Sequence, residues 1–296
     1  MKFGKVDHPE LIDFTLPKDH KDTKRVLNLF KDDTISKIYV GCAKWNRADL
    51  KGFYPRETKD ELAYYASQFN AIELNATFYR LFPAEQFAKW YDKTPLGFKF
   101  FPKLNKEISH WKRLQDTKAV VENYLHNASN LKEKLGTIFL QMNTNFTPKD
   151  FDRVVAFIES WPKEFLLAVE FRHRDWYNTE IAEDLYQLLE TNNISNSIVD
   201  TAGRRDIMHM RLTNSTAFVR YVGTNHPSDY ARLDDWITRI KDWIKQGVKE
   251  IDFFIHQNIE KESPLLSAYF IKKLNTELDY NLKIPNGNNN TQQNLF

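Results

Sequence analysis

Cysteine is almost missing from this chain of 296 residues. The single cysteine, Cys42, excludes an intramolecular disulfide framework and any zinc site built from several cysteines. Long apolar runs are missing too: the first residues, MKFGKVDHPE, contain no signal-peptide core, and no segment approaches the ~20 apolar residues of a membrane span. These absences predict a soluble, cytoplasmic protein that has no membrane partner.

Neither sign of charge is in excess. The 42 lysine and arginine residues nearly balance the 40 aspartate and glutamate residues, so the formal net charge is +2 and no global field marks a protein that binds polyanions. The sequence therefore does not indicate nucleic acid as a partner, although it does not exclude one. The 42% of hydrophobic residues is enough for a large core, in one barrel-sized domain or in two smaller ones.

Short apolar runs alternate with amphipathic segments along most of the chain. Eight runs have the character of strands, at 38–43, 71–77, 97–104, 137–142, 166–172, 196–200, 217–223 and 250–257. Helix candidates lie at 58–69, 84–91, 116–134, 148–160, 179–191, 233–246 and 264–278, where apolar residues recur at intervals of three and four. Eight strands alternating with helices over roughly 250 residues predict an α/β fold of the (β/α)8 type, a TIM-like barrel, rather than an open doubly wound sheet.

Local signals set some of the boundaries. Thr58, followed three residues later by Glu61, predicts a capped helix start, whereas 201–216 shows no convincing helix between the sixth and seventh strands. We expect the barrel to cover residues 38–284. Residues 1–37 are predicted to form an N-terminal extension that packs on the barrel, over one end. Residues 285–296, rich in asparagine and glutamine, are predicted to be disordered.

The most informative stretch is AVEFRHRDW, at 168–176, because an apolar strand ends there in charged and aromatic side chains. Alternate residues of a strand share one face, so Glu170 and Arg172 project together from its carboxyl end. In a parallel barrel, the residues at the carboxyl ends of all strands surround one pocket. The other strands contribute Glu73 and Asn75, Lys103, Gln141, Asp200, Arg220, and Asp252 with His256. This mixture of charges predicts a site for a small polar ligand that has an anionic part.

Each of these residues also has a purely structural interpretation. Glu170 and Arg172 could form a buried ion pair that seals the barrel. Glu73 could be satisfied by a hydrogen bond to Lys103. A lone histidine at a strand end, such as His256, is often a satisfied polar residue of the core.

Six motifs together resemble one known family. They are GCAKW at 41–45, AIELNATFY at 71–79, GFKFFPK at 97–103, ISH at 108–110, LGTIFLQ at 135–141 and AVEFRHRDW at 168–176. In this order, over roughly 38–278, they are similar to the YecE-like family, domain of unknown function 72. The resemblance implies a TIM-like barrel without an established activity. It also implies a match to characteristic family positions at Glu73, Asn75, Tyr79, Lys103, His110, Gln141, Glu170, Arg172, Trp176 and Asp200.

Two departures from the family pattern bear on the site. Members commonly carry Ser-Gly before the tryptophan of the first motif, where this chain has Ala43 and Lys44, so a ligand that approached the backbone there would meet a side chain. The eighth strand often ends in an asparagine-rich sequence in the family, whereas this chain reads FFIHQN. A role for His256 is therefore not inherited through the resemblance.

We interpret the chain as an enzyme that acts on a small polar substrate, anionic or carbohydrate-like, by acid/base catalysis at the carboxyl ends of the strands. The catalytic candidates are Glu73, Glu170 and Asp200. The candidates for substrate binding are Asn75, Tyr79, Lys103, His110, Gln141, Arg172, Trp176, Arg220 and His256. The substrate, the class of reaction (hydrolase, lyase or isomerase) and the oligomeric state stay open.

Two alternatives differ from this interpretation. No cofactor is predicted, but a divalent metal would make the protein a metal-dependent isomerase- or nuclease-like barrel. Its ligands would be Glu73, Glu170, Asp200 and His256. No HxH or HExxH spacing supports such a metal site. The chain could instead be a non-catalytic binding protein for a phosphorylated metabolite or nucleic acid.

Overall fold

The computed structural model describes residues 4–177 and 180–286 of the chain. Its strands are β1 (Lys37–Cys42), β2 (Ala71–Leu74), β3 (Lys99–Pro102), β4 (Ile138–Gln141), β5 (Leu167–Glu170), β6 (Ser195–Asn196), β7 (Ile198–Asp200), β8 (Thr216–Gly223) and β9 (Glu250–Gln257). Its α-helices are α1 (Thr23–Asn28), α2 (Glu61–Gln68), α3 (Ala76–Tyr79), α4 (Ala84–Asp92), α5 (Lys118–Ala128), α6 (Phe151–Glu159), α7 (Ile181–Thr191), α8 (Ser228–Gln246) and α9 (Ser263–Leu278). None of the helices in these ranges has the length and apolarity needed to cross a membrane.

The paired strands run parallel, as the helical connections between them allow. One sheet has the order β3-β2-β1-β9-β8-β7, and a second has the order β4-β5-β6. The fold is therefore α/β with parallel sheets, but the predicted (β/α)8 barrel is not present as one continuous, closed sheet. The reason is local. β3 and β4 meet through two isolated bridges, at Phe100 with Leu135 and at Lys103 with Phe139, and Ser197 interrupts the sixth strand.

Two predicted boundaries are wrong for identifiable reasons. The second strand ends at Leu74 rather than at 77, because Asn75 takes a helical conformation and α3 follows directly. The capping signal at Thr58 is not used. Instead Asp60 caps α2, where its side chain accepts a hydrogen bond from the backbone N–H of Ala63 at 3.1 Å.

An apolar layer lies between the two sheets. Its fully buried members are Ala71, Phe101, Phe139, Ala168, Phe218 and Phe254. The ring centroids of Phe101 and Phe254, for example, lie 4.9 Å apart. A larger apolar core lies between the strands and the surrounding helices. The space between the two sheets is therefore packed with side chains.

Residues 4–36 run along the outside of the sheets. The backbone N–H of Gly203, just after β7, donates to Gly4 O at 2.9 Å. Further along, Arg239 Nη1 of α8 donates to Asp19 Oδ1 at 2.6 Å. Ser36 Oγ donates to Val248 O at 2.6 Å, at the opposite end of the sheets. The extension therefore reaches from the carboxyl end of β7 to the amino end of β9 and is not confined to one end.

The first residues of the predicted disordered tail at 285–296 lie against the domain. Pro285 is buried, and the backbone N–H of Asn286 donates to Gln68 Oε1 of α2 at 3.2 Å. The rest of that segment, 287–296, lies outside the described residues, as does the predicted start of the helix at 179. The domain thus includes two residues of the segment predicted as a tail.

Candidate functional site

A polar layer lies directly above the apolar one, at the carboxyl ends of the strands. Its members follow interior apolar residues by two positions, as the alternation of a strand requires. The pairs are Ala71 with Glu73, Phe101 with Lys103, Phe139 with Gln141, Ala168 with Glu170, Phe218 with Arg220, and Phe254 with His256. We call the second members of these pairs the inner cluster. Sequence reasoning assigned all of them to one pocket, and the structure brings them together.

Arg220 joins two carboxylates across the inner cluster. Its Nε and Nη2 donate to Oε2 and Oε1 of Glu73, both at 2.8 Å, and its Nη1 donates to Oε2 of Glu170 at 2.6 Å. Both glutamates are fully buried. A two-point contact is the geometry in which a guanidinium binds a carboxylate most strongly. Arg220 therefore fixes the positions of both acids.

Glu170 continues the network toward Lys103. Its Oε1 accepts hydrogen bonds from Arg172 Nε at 2.6 Å and from Gln141 Nε2 at 2.8 Å. The amide oxygen of Gln141 then accepts from Lys103 Nζ at 2.7 Å. On another side of this amine lies Phe78, whose ring centroid is 4.2 Å from Nζ. Lys103 is thus linked to Glu170 through an amide.

Glu73 forms the other end of the network. Its Oε1 also accepts from Asn75 Nδ2 at 2.7 Å, and its Oε2 lies 3.0 Å from His256 Nε2. A cavity of about 250 Å³ opens beside Glu73 and Asn75. It is lined further by Ala43, Lys44, Trp45, Asn46, Leu74, Ala76 and Tyr79. The cavity gives a small ligand access to the Glu73 side of the inner cluster.

Burial and neighbouring charges act in opposite directions on the two acids. Burial alone would raise the pKa of Glu170, but the guanidinium groups of Arg220 and Arg172 lower it to about 2. Burial likewise opposes the charges of Arg220 and His256 at Glu73, and the charges hold its pKa well below the usual value. Both carboxylates are therefore anions at neutral pH, which makes them poor proton donors.

The pKa values of the two bases near the cluster, Lys103 and His110, are lowered, which favours their neutral forms. Burial, together with the charges of Arg220 and Arg172, lowers the pKa of Lys103 to about 7. Burial and the charge of Lys103 lower the pKa of His110 to about 4, so this imidazole is neutral near pH 7. Lys103 can therefore exchange a proton near neutral pH, as a general acid or base must.

Comparison with known proteins shows which family the chain belongs to. The model described as "Protein of unknown function DUF72" matches residues 39–289. The chain belongs to the DUF72 family. The resemblance seen in the sequence motifs is thereby confirmed.

Curated relatives of this DUF72 chain occur in Escherichia coli and Bacillus subtilis. The UPF0759 protein YecE of Escherichia coli strain K12 is 26% identical over 226 residues, which cover 70% of this chain and 82% of that protein. The UPF0759 protein YunF of Bacillus subtilis strain 168 is 27% identical over 180 residues, which cover 55% of this chain and 60% of that protein. These relatives support the family assignment and name no reaction.

Solved structures of DUF72 family proteins resemble the fold described above. The protein of Thermotoga maritima MSB8 aligns with a TM-score of 0.67 and 25% identity, covering 80% of this chain and 99% of that one. The protein of Enterococcus faecalis V583 aligns with a TM-score of 0.69 and 20% identity, covering 84% of this chain and 98% of that one. The likeness confirms the α/β architecture.

Asp200, predicted as a catalytic residue of this DUF72 chain, points away from the inner cluster. Along β7, Val199 lies opposite Arg220, which faces inward, whereas Asp200 lies opposite Tyr221 on the other face. The Oδ1 atom of Asp200 is 2.9 Å from Arg232 Nη2 of α8. The carboxylate lies on the helix-facing side of its strand, so the structure does not bring it to the inner cluster.

Two further residues lie away from the place that the sequence suggested. Trp176 is fully buried, donates from Nε1 to Phe146 O at 2.7 Å, and has its ring 4.2 Å from that of Phe171. The structure therefore places it in the apolar core rather than at the 250 Å³ cavity. Asp252 faces inward but lies opposite Tyr39, below the apolar layer, where burial raises its pKa well above the usual value. It therefore belongs to the opposite end of the interior.

Phe78 contacts Tyr79, His110 and the amine of Lys103. Tyr79 is 69% exposed and lines the 250 Å³ cavity. The His110 ring packs edge-on against Phe78 at 4.9 Å, and the ring of Tyr79 does so at 5.0 Å. Sequence reasoning missed Phe78, which also covers the amine of Lys103. No strand alternation marks this residue, because it lies on α3.

A larger cleft of about 760 Å³ lies between the loops that follow β4 and β5. It is lined by Thr147, Pro148, Lys149, His173, Asp175, Glu180 and Ile181. The members of the inner cluster are not part of this lining. We therefore place the candidate site at the smaller cavity, beside the buried charges.

Proposed function

We propose that this chain is an enzyme that acts on a small polar substrate, anionic or carbohydrate-like, by acid/base catalysis in the pocket at the carboxyl ends of the strands. The position of Lys103 carries the proposal. Its amine is buried in the inner cluster, and a pKa of about 7 makes both of its protonation states available near neutral pH. Gln141, Glu170 and Arg220 link this amine to Glu73, and Glu73 borders the 250 Å³ cavity. A base with a perturbed pKa in a cluster that borders a cavity is a candidate for proton transfer to a bound ligand.

The proposal gives Glu73 and Glu170 a role that differs from the sequence prediction. Because both stay charged at neutral pH, they hold Arg220 in place and balance its charge rather than donate protons. Proton transfer belongs to Lys103. Arg172, at the edge of the cluster, attracts the anionic part of the substrate. The polar side chains of Asn75, Gln141 and His256 orient the substrate.

We also propose that the two sheets form one (β/α)8 barrel at 38–284, with residues 1–37 packed on it as an extension. The bridges between β3 and β4 support closure on one side. On the other side, the backbone N–H of Ser197 donates to Val169 O at 3.0 Å, which continues the pairing of β5 beyond β6. In such a ring, every carboxyl end surrounds one mouth.

The metal-dependent alternative fits the donor set less well. Both oxygens of Glu73 accept hydrogen bonds from Arg220, and Glu170 lies between Arg220 and Arg172. A divalent cation would have to displace these guanidinium groups or bind beside them against charge repulsion. Within the described ranges, three potential ligands converge at His20, Asp22 and Glu183, outside this site.

A thermal-shift screen of small anionic metabolites tests the proposal, because a ligand of the folded state raises the melting temperature as its concentration exceeds its Kd. We expect carboxylates or phosphate esters to raise the melting temperature of the wild type. Arg172→Ala should lose most of this rise, and Lys149→Ala, in the larger cleft, should keep it. The reverse pattern would move the site to the larger cleft.

Turnover of a compound found in that screen separates an enzyme from a binding protein. We expect the wild type to convert the compound and Lys103→Met to bind it without conversion. Binding by the wild type with no conversion of any compound found would support the non-catalytic alternative.

A further inference from the structure

The backbone of Lys103 is held on three sides. Its N–H donates to Leu74 O at 3.1 Å, and its carbonyl accepts hydrogen bonds from Thr77 Oγ1 at 2.7 Å and from Tyr124 OH at 3.0 Å. The residue as a whole is 7% exposed. Lysine side chains on a surface sample many rotamers, whereas this one is confined by its buried surroundings. The amine therefore has a defined position inside the cluster.

The surroundings of the Nζ atom combine apolar rings with one oriented acceptor. The ring centroids of Phe78 and Phe139 lie 4.2 and 5.7 Å from Nζ. One N–H is directed to Gln141 Oε1, and Gln141 is itself held by Glu170. In a neutral amine that donates one N–H to Gln141, the lone pair points away from that acceptor. Desolvation and nearby cations activate a lysine as a nucleophile because they favour the neutral amine.

The formal charges of the neighbouring acids and arginines cancel. The carboxylates of Glu73 and Glu170 offset the guanidinium groups of Arg172 and Arg220. A cationic nitrogen at Lys103 therefore adds one uncompensated positive charge. A ligand that brings one negative charge restores the balance. The site thus favours an anionic compound that turns this amine into a cation.

Building on the function proposed above, we infer that Lys103 forms a Schiff base with a small aldehyde or ketone that carries a carboxylate or phosphate group. The Nζ lone pair attacks the carbonyl carbon and forms the C–N bond. Both N–H hydrogens leave with the carbonyl oxygen as water, and the resulting imine takes up one proton from solvent. The iminium withdraws electrons from the adjacent carbon, so the site is suited to break a C–H or C–C bond there.

Reductive trapping tests this inference on the full-length protein. The wild type is incubated at pH 7 with glyoxylate and cyanoborohydride, and the modified lysines are identified by peptide mass spectrometry. We expect Lys103 to react at least about tenfold faster than Lys118, whose side chain is 88% exposed, since a much larger fraction of an amine is neutral when its pKa is lowered. Dihydroxyacetone phosphate distinguishes phosphate from carboxylate recognition, and acetone is the uncharged control.

Modification confined to exposed lysines, with Lys103 unlabelled by every probe, would overturn the Schiff base. Lys103→Met should abolish the fast labelling, and Lys118→Met should leave it intact. If Lys103→Met does not fold, the pH dependence of labelling in the wild type still decides, because we expect a midpoint near 7 at Lys103. If glyoxylate raises the melting temperature but forms no adduct at Lys103, the Schiff base is wrong and the proposed function is still supported. If no probe forms an adduct at Lys103 and no compound of the thermal-shift screen raises the melting temperature, both the Schiff base and the proposed function are wrong.

Discussion

Two buried charge networks lie on opposite faces of neighbouring strands, and they differ in their surroundings. In the inner cluster, Arg220 lies between Glu73 and Glu170, at the carboxyl ends of the strands. The second network, which we call the outer network, consists of Asp200, Arg205, Asp229 and Arg232, between β7, β8 and α8. Both contain carboxylates paired with guanidinium groups. Ion pairing alone therefore does not separate a site from a structural element.

The outer network is covered by aromatic groups. Arg232 is 2% exposed, and its Cζ lies 4.1 Å from the ring centroid of Phe14, which belongs to the N-terminal extension. On the other side, Tyr221 lies 4.3 Å from the same atom. Trp236 Nε1 donates to Asp200 Oδ2 at 2.8 Å. Two acids and two arginines thus match each other beneath this cover.

The inner cluster differs by one additional amine and by its access to a cavity. Lys103 hydrogen-bonds to an amide oxygen and lies close to two cations, so its charged form is disfavoured. Glu73 borders the 250 Å³ cavity. A base with an unfavourable charged state, in a cluster that borders a cavity, is therefore a better sign of chemistry than a buried ion pair.

The largest effect is expected from a substitution that disrupts the inner cluster. Arg220→Met should lower the free energy of unfolding by about 3–5 kcal/mol, because it leaves two buried carboxylates without their counter-charge. Urea denaturation measures this loss. Arg220→Lys, which keeps the charge and loses the two-point contact, should lose less. If Arg220→Met were as stable as the wild type, the two buried acids would not depend on this arginine. The inner cluster would then not be an ion-paired network like the outer one.

A smaller effect should follow from the outer network. Asp200→Asn should cost about 2–3 kcal/mol of unfolding free energy, because Arg232 and Arg205 lose a charged partner while one acceptor oxygen is kept. Its thermal response to anionic ligands should equal that of the wild type, because the carboxylate lies outside the cluster. Asp184→Asn, at an exposed position of α7, is the control. Loss of the ligand response in Asp200→Asn would return this residue to the site.

The smallest effect concerns the cover of the outer network. Phe14→Ala removes the ring that lies over Arg232 and should cost about 1 kcal/mol. The same urea denaturation detects it, again without a change in ligand response. Leu11→Ala, at an exposed position of the extension, should change stability by less than about 0.5 kcal/mol. Equal effects of the two substitutions would show that the extension does not shield the outer network.

The inner cluster was predictable because alternate residues of a strand share one face, and the carboxyl ends of parallel strands meet at one edge of the sheet. The pattern is clear on β4, where Phe139 and Gln141 both face inward. It fails on β7, where Ile198 and Val199 are both apolar and buried, so alternation does not tell which face Asp200 occupies. Strand alternation also cannot predict the position of Phe78, because this residue lies on a short helix. Contacts made by loops and helix turns follow no strand period.

By itself, the sequence determined the family, the alternation of strands and helices, and the set of polar residues at the carboxyl ends of the strands. These depend on local periodicity and on motif order. Only the tertiary structure decided that Arg220 binds Glu73, which is 147 positions away, and that Lys103 hydrogen-bonds to an amide between two aromatic rings. Charge states depend on distances across the interior, and those distances are set when remote strands pack together.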